Sequence, residues 1–352
     1  MRKLFGAILL LAAVGGYLHY VQGWDWARLK RTRAVALVLR EDASATTTPI
    51  GARGTGTHWE TAAPMPGART EFGAVTVGDR IYAIGGIDGY MRTLDAVQSY
   101  DVVSDTWRDE PKLPMPIHHP AVATDGANVY VLGGFTGLAS RPLDSAYAYD
   151  PKTRSWREIG RLNDFRGGAA AAFLGDRLYV MAGRTGGGVD GALEYYDAAR
   201  GGWNGLKGLS VPRTLFQAAA LDGKLYAIGG NRGSVSTSLS DVESYDPVAN
   251  EWKGVGAMSA ARSGFASVVV DGSVYAIGGE GKAGVLGLVE AFDPKKGVWS
   301  KLSPGLPDPR RGLAAAAWKN RIYVLGGGRR SGLSVTDLNS VLILDGSAAK
   351  KR

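Results

Sequence analysis

The chain has 352 residues, no cysteine and a formal net charge of +8. Without cysteine it holds no disulfide, no thiolate metal site and no thiol nucleophile. The charge stops resembling a nucleic-acid signal once it is divided along the chain. Of 41 basic and 33 acidic residues, eight and three lie in residues 1–56, and Lys350, Lys351 and Arg352 form a basic tail; the body between is balanced. A neutral body offers no broad phosphate-tracking surface.

Arg2 and Lys3 precede an apolar run over residues 4–21, interrupted only by His19. The length predicts a membrane anchor; a cleaved signal peptide would need a small-x-small site, which Ala13-Val14-Gly15 supplies imperfectly. Trp24 and Trp26 follow where a membrane interface would hold them, and Arg28, Lys30, Arg31 and Arg33 favour anionic headgroups. Residues 1–23 are therefore expected to be a signal anchor or signal peptide, and 24–56 a basic juxtamembrane stretch and flexible linker. Basic residues flank both ends of the run, so it fixes no orientation. The body is expected to be membrane-anchored on the extracytoplasmic side, or secreted if the segment is cleaved.

From residue 57 the sequence repeats. Tyr82, Tyr130, Tyr179, Tyr226, Tyr275 and Tyr323 sit in alternating apolar runs at spacings of 48, 49, 47, 49 and 48 residues. Each run ends in a small pair, from Gly85-Gly86 to Gly326-Gly327, with Ala182-Gly183 the one departure. An aromatic-Asp step follows at Tyr100, Tyr149, Tyr196, Tyr245 and Phe292, degraded to Leu344-Asp345 in the last copy, and then a tryptophan at 107, 156, 203, 252 and 299. The sixth tryptophan is missing at the C-terminal side. Trp59 supplies it from the N-terminal side, which makes sense if the array closes on itself.

Each period reads as four strands: a of small residues, b ending in the glycine pair, c ending in aromatic-Asp, and d with tryptophan. Six periods predict an all-β, six-bladed β-propeller over residues 57–346, closed by an N-terminal outer strand, with a tail at 347–352. Inner strands converging on an axis need little bulk, so the alanine runs at 169–172 and 314–317 are expected as strands against their helix propensity.

Double glycine, aromatic-Asp and tryptophan at this period resemble the Kelch repeat. The resemblance covers residues 57 to about 346 and implies a module used mostly for binding and scaffolding, with a minority of enzymes. Fold alone does not choose between these uses.

Sixteen residues before each small pair stand Arg69, Ile117, Arg166, Arg213, Arg262 and Arg310. Arg69, Arg166, Arg213, Arg262 and Arg310 are candidate ligand-binding residues: guanidinium forks around one mouth suit carboxylates or phosphates on an acidic peptide, protein or glycan. The alternative is that they repeat because the fold repeats. In the Kelch adaptor that captures acidic degron peptides, arginines at the matching position line the pocket, which the resemblance carries over to these five. The b-to-c loops add Arg92, Arg141, Arg184, Arg232, Lys282, Arg329 and Arg330 on the same face.

No catalytic residue, cofactor or metal site is expected. Glu194, Glu243 and Glu290 recur at one strand-c slot, with Gln98 and Tyr147 at the same slot elsewhere, as scaffold pairs do. His118 and His119, as strand neighbours, would point apart. One enzyme class survives as an alternative, the exported Kelch propellers that mutarotate sialic acids, and Glu71 is its weak candidate for the proton-moving acid.

Overall fold

A computed structural model of the chain describes residues 57–344, so the expected anchor, linker and basic tail lie outside the described residues. Six four-stranded antiparallel sheets follow one another. Blade 1 is Gly73–Val77, Arg80–Ile84, Val97–Asp101 and Thr106–Glu110. Blades 2 to 5 repeat the a-b-c-d order, starting at inner strands Ala121–Thr124, Ala170–Leu174, Gln217–Leu221 and Ala266–Val270. Blade 6 takes Ala314–Trp318, Arg321–Leu325 and Asn339–Ile343 from one end of the body and His58–Thr61 from the other.

The closure is as expected, with Trp59 opposite Leu342 in an antiparallel pair. Its register corrects one expectation. Tyr100 faces Trp107 in blade 1, so Leu342-Ile343, rather than Leu344-Asp345, fills the aromatic-Asp place of the last copy.

There is no central core. The apolar side chains form six clusters among the described residues, one between each pair of neighbouring blades. Blades 1 and 2, for example, share Tyr82, Ile84, Val131 and Tyr149. Inner strands facing each other around an axis leave an axial channel of about 480 Å³, walled largely by alanine. The alanine runs are strands because only small side chains let six strands approach that closely; this tertiary demand overrides their helix propensity.

The remaining markers are local devices. The Asp101 carboxylate accepts from the Val103 and Ser104 amides, and Asp246 does the same for Val248 and Ala249, which shapes the c-to-d turn. The indoles of Trp107, Trp156 and Trp252 donate to the carbonyls of Ala63, Pro111 and Lys207, each in the segment leaving the preceding blade. The glycine run 186–188 is a hairpin tip, with Thr185 opposite Gly188.

Candidate functional site

The face where strands a begin is stitched by two rings of backbone hydrogen bonds. In the outer ring, the second small residue of each b strand donates to the strand-leading residue of the next blade: Gly86 to Ile117, Gly134 to Arg166, Gly183 to Arg213, Gly230 to Arg262, Gly279 to Arg310 and Gly327 to Arg69. This explains the first glycine of the pair, whose φ is positive throughout and whose added Cβ would stand 2.6 Å from the Arg310 carbonyl at Gly278 or 2.7 Å from that of Arg69 at Gly326. Ala182 accepts the same conformation, φ 51°.

The inner ring lies two residues further along each chain. Glu71, His119, Gly168, Leu215, Gly264 and Gly312 all have left-handed backbones, φ between 49° and 60°. Each N–H donates to the carbonyl of its predecessor around the axis, Glu71 to Gly312 at 2.8 Å and His119 to Glu71 at 2.7 Å, until Gly312 donates to Gly264 at 2.7 Å. Three positions are glycine, as the conformation favours; Glu71, His119 and Leu215 occupy it at a cost of about 1 kcal/mol each.

The five candidate arginines do not line an open mouth. Arg69, Arg166, Arg213, Arg262 and Arg310 are at most 2% exposed. Their forks turn into their own blades and cap the carbonyl of the first small residue, Gly85, Ala182, Gly229 and Gly326 in blades 1, 3, 4 and 6. The other arm pairs with strand c: Arg166 with Glu194, Arg213 with Glu243 at 2.5 Å, Arg262 with Glu290 at 2.8 Å, Arg69 with Gln98 and Arg310 with Ser340 at 2.9 Å. Burial pulls Arg69, Arg262 and Arg310 down to about 10. The pocket expectation is thus corrected by a physical cause: a guanidinium without exposed surface, turned into its own blade onto backbone carbonyls and a strand-c carboxylate, amide or hydroxyl, presents no arm to a ligand. In blade 2 both partners change together, to Ile117 and Tyr147.

The unrepeated chemistry lies beside them. Glu71 is buried, with one carboxylate oxygen on Arg311 and the other 2.9 Å from His119 Nε2. Arg311 Nε is 2.9 Å from Glu280, and Arg311 Nη1 donates to the Gly332 carbonyl at 2.8 Å. Burial alone would raise the Glu71 pKa, but the charges of His119 and Arg311 outweigh it and hold the carboxyl at about 2. His118 and His119 do not point apart as strand neighbours would. The left-handed turn at His119 brings the two rings together, Nδ1 to Nδ1 at 2.6 Å, against Phe135.

The space beside the inner ring, bordered by Glu71, His119, Leu215 and the three glycines, is about 70 Å³. Small-molecule pockets run from about 300 Å³ upward, so this recess alone is smaller than a usual ligand site, and its Phe72, Pro120 and Phe216 also line the axial channel. Among the described residues no group of three or more His, Asp and Glu side chains is arranged for a metal ion. Likewise, among them no helix is long and apolar enough to cross a membrane.

The accessible chemistry of this face is at the loop tips. Tyr90, Leu138 and Phe165, on consecutive loops around blades 1 to 3, are exposed at 70%, 43% and 50%. Arg141, Arg232, Lys282 and Arg330 are exposed on the b-to-c loops; on the same loops Arg92 pairs with Asp88 and Arg329 with Asp308. The three apolar tips escaped the sequence reading because none repeats as an apolar aromatic or leucine from blade to blade; the place of Phe165, for example, is Ala or Pro in the other five.

The comparisons with known proteins agree with this architecture. The KLHDC2/KLHL20/DRC7 Kelch-repeats domain matches residues 111–279 and 168–349, and the Kelch motif matches 68–114. Beta-scruin of Limulus polyphemus is 37% identical over 78 residues, 22% of this chain and 8% of that protein; human Kelch-like protein 41 is 36% identical over 80 residues, 22% of this chain and 13% of that protein. The aligned segment thus spans a small fraction of these relatives. The solved structure of YjhT superposes with a TM-score of 0.67 over 80% of this chain and 96% of that one at 17% identity, a likeness of fold. With the repeat models matching most of its length, the chain belongs to the Kelch-repeat family.

Proposed function

We propose that the propeller is a binding and scaffold module, held at a membrane by residues 4–21 on the extracytoplasmic side, whose loop-tip face takes an acidic protein or peptide. One observation carries the reading: exposed Tyr90, Leu138 and Phe165 share a face with exposed Arg141, Arg232, Lys282 and Arg330, whereas the charged groups beneath are paired internally. Aromatic and aliphatic anchors with arginine beside them are the make-up of protein-binding hot spots, and the cations select acidic partners through association rate and specificity. An acidic glycan would use the cations and ignore the apolar tips.

The test is a binding screen of the chain against acidic peptides, acidic glycans and neutral controls. Phe165→Ala and Leu138→Ala should weaken peptide retention by about tenfold or more, and Arg141→Glu with Arg232→Glu should weaken it further at low salt. Retention unchanged in all three variants would sink the reading. Anomer exchange of sialic acid, followed by NMR in the same samples, tests the alternative function as a mutarotase.

A further inference from the structure

The exposed apolar groups of the loop-tip face lie on one side of the axis. Tyr90 stands on the b-to-c loop of blade 1, Leu138 on that of blade 2 and Phe165 at the entry to blade 3. Half-buried Leu333, on the b-to-c loop of blade 6, continues the arc. The loops of blades 4 and 5 bring Arg232 and Lys282 to this face and, among the described residues, no large exposed apolar side chain. Within the arc, the loops of blades 6, 1 and 2 meet around a dimple of about 10 Å³, with buried Ile87 and His118 as its floor and Met91, Leu138 and Leu333 as its walls. That is the room of about one water or methyl group.

The walls are fixed before anything binds. The Asp88 carboxylate accepts from the Tyr90 and Arg92 amides and from the Arg92 guanidinium, which folds the blade 1 loop around Met91. In blade 2, Phe135-Thr136 pairs with Arg141-Pro142, and the Thr136 hydroxyl donates to the Pro116 carbonyl. In blade 6, buried Arg311 donates to the Gly332 carbonyl at 2.8 Å, one residue before Leu333. The buried network of Glu71, Arg311 and Glu280 thus acts on the face above it by holding one wall of the dimple. Loops already in place spare a ligand the entropy of ordering them.

We propose that the dimple anchors one small aliphatic side chain of an acidic peptide, whose carboxylates on either side of that residue meet Arg330 and Arg141. Resting on the reading of this face as a site for an acidic peptide, the anchor fixes the order of the peptide's side chains: acid, small aliphatic, acid. Arg330 and Arg141 are exposed on the loops at the two ends of the dimple, those of blades 6 and 2. Room for one methyl rejects aromatic side chains, and apolar walls leave a charged one without a partner. Asp164 is exposed beside Phe165 at the far end of the arc, so the peptide is uncharged where it reaches Phe165.

The test is binding of the full chain to immobilised peptides Glu-Glu-x-Glu-Glu with Gly, Ala, Val, Leu or Trp at x. Ala and Val should lead, by about fourfold over Gly for one seated methyl, with Leu and Trp behind them. Met91→Ala widens the dimple and should move the preference to Leu; Leu333→Ala widens it from the half-buried side and serves if Met91→Ala does not fold. An unchanged order in a folded variant overturns the proposal. Arg330→Gln should weaken retention about threefold or more beyond Lys282→Gln at low salt, and equal losses overturn the placement on the arc. Retention indifferent to x removes the anchor alone, whereas no retention of any of these peptides overturns the reading of the face and the anchor with it.

Discussion

Arg310 and Arg311 are consecutive and both are buried, yet they belong to different designs. Arg310 caps the Gly326 carbonyl and meets Ser340 within its own blade, as Arg69, Arg166 and Arg213 cap and pair in theirs, while Arg262 meets Glu290 and the Ala276 carbonyl. Arg311 leaves its blade to bind Glu71 and Glu280, and the residues at its place elsewhere are Thr70, His118, Gly167, Thr214 and Ser263. In a repeat protein the recurring charge belongs to the unit, and the charge that occurs once belongs to the assembly. A ring of like residues thus pointed to a pocket that is not there, because the periodicity that made it conspicuous is the periodicity of the scaffold.

The largest effect that tests this contrast is on the repeated pair. Arg213→Ala strands Glu243 as a buried unpaired anion and should cost about 3–5 kcal/mol in chemical denaturation. Blade 2 supplies the repair: Arg213→Ile with Glu243→Tyr copies Ile117 and Tyr147 and should recover most of that loss. A double variant as damaged as the single one would break the reading of these positions as a paired column. Binding of an acidic peptide by the folded double variant should match the parent, which separates scaffold from site.

The unrepeated cluster should show itself in acid. Glu71 is held at about 2, below its ordinary 4.5, so its contribution is present above about pH 4.5 and disappears as pH falls toward 2, amounting to about 3 kcal/mol at full extent. Stability measured against pH should show that limb in the parent and a shallower one in Glu71→Gln; parallel limbs would assign the acid sensitivity to other carboxyls.

Smaller effects sharpen the account of the stitching. An added Cβ at Gly133 would collide with the Arg166 carbonyl, whereas at Gly175, also of positive φ, it meets nothing within 4 Å. Gly175→Ala should cost about 1 kcal/mol of backbone strain and Gly133→Ala distinctly more; equal costs would show that conformation alone, rather than the close approach of blades, selects glycine there. Smallest is the indole hydrogen bond: Trp252→Phe loses the bond to Lys207 and should cost about 1 kcal/mol more than Trp203→Phe, whose indole nitrogen has no such partner.

Much of the architecture was legible because each marker has one geometric job. Gly-Gly marks the blade-to-blade stitch, Asp the turn and Trp the grip on the preceding blade, and Trp59 announced the closure. The direction of an arginine fork is not written in its position. A usable signal did exist: where the leading residue turns from Arg to Ile in blade 2, the strand-c partner turns from acid, amide or hydroxyl to Tyr147, and residues that change together are residues that touch. The meeting of His118 and His119 was hidden because it depends on the sign of φ. Gly168, Gly264 and Gly312 at the same place in three sister blades were the visible hint that this position is left-handed.

The closing strand has a consequence in time. His58–Thr61 is among the first parts of the body to be made, and its partner Asn339–Ile343 is among the last. At about 5–20 residues per second of synthesis, tens of seconds separate them, during which strand d of blade 6 has no mate and Trp59 has no wedge between blades 5 and 6 to enter. The ring therefore closes last: whatever order the other blades take, the circle is completed only when the final strand of the body has been made and meets the first.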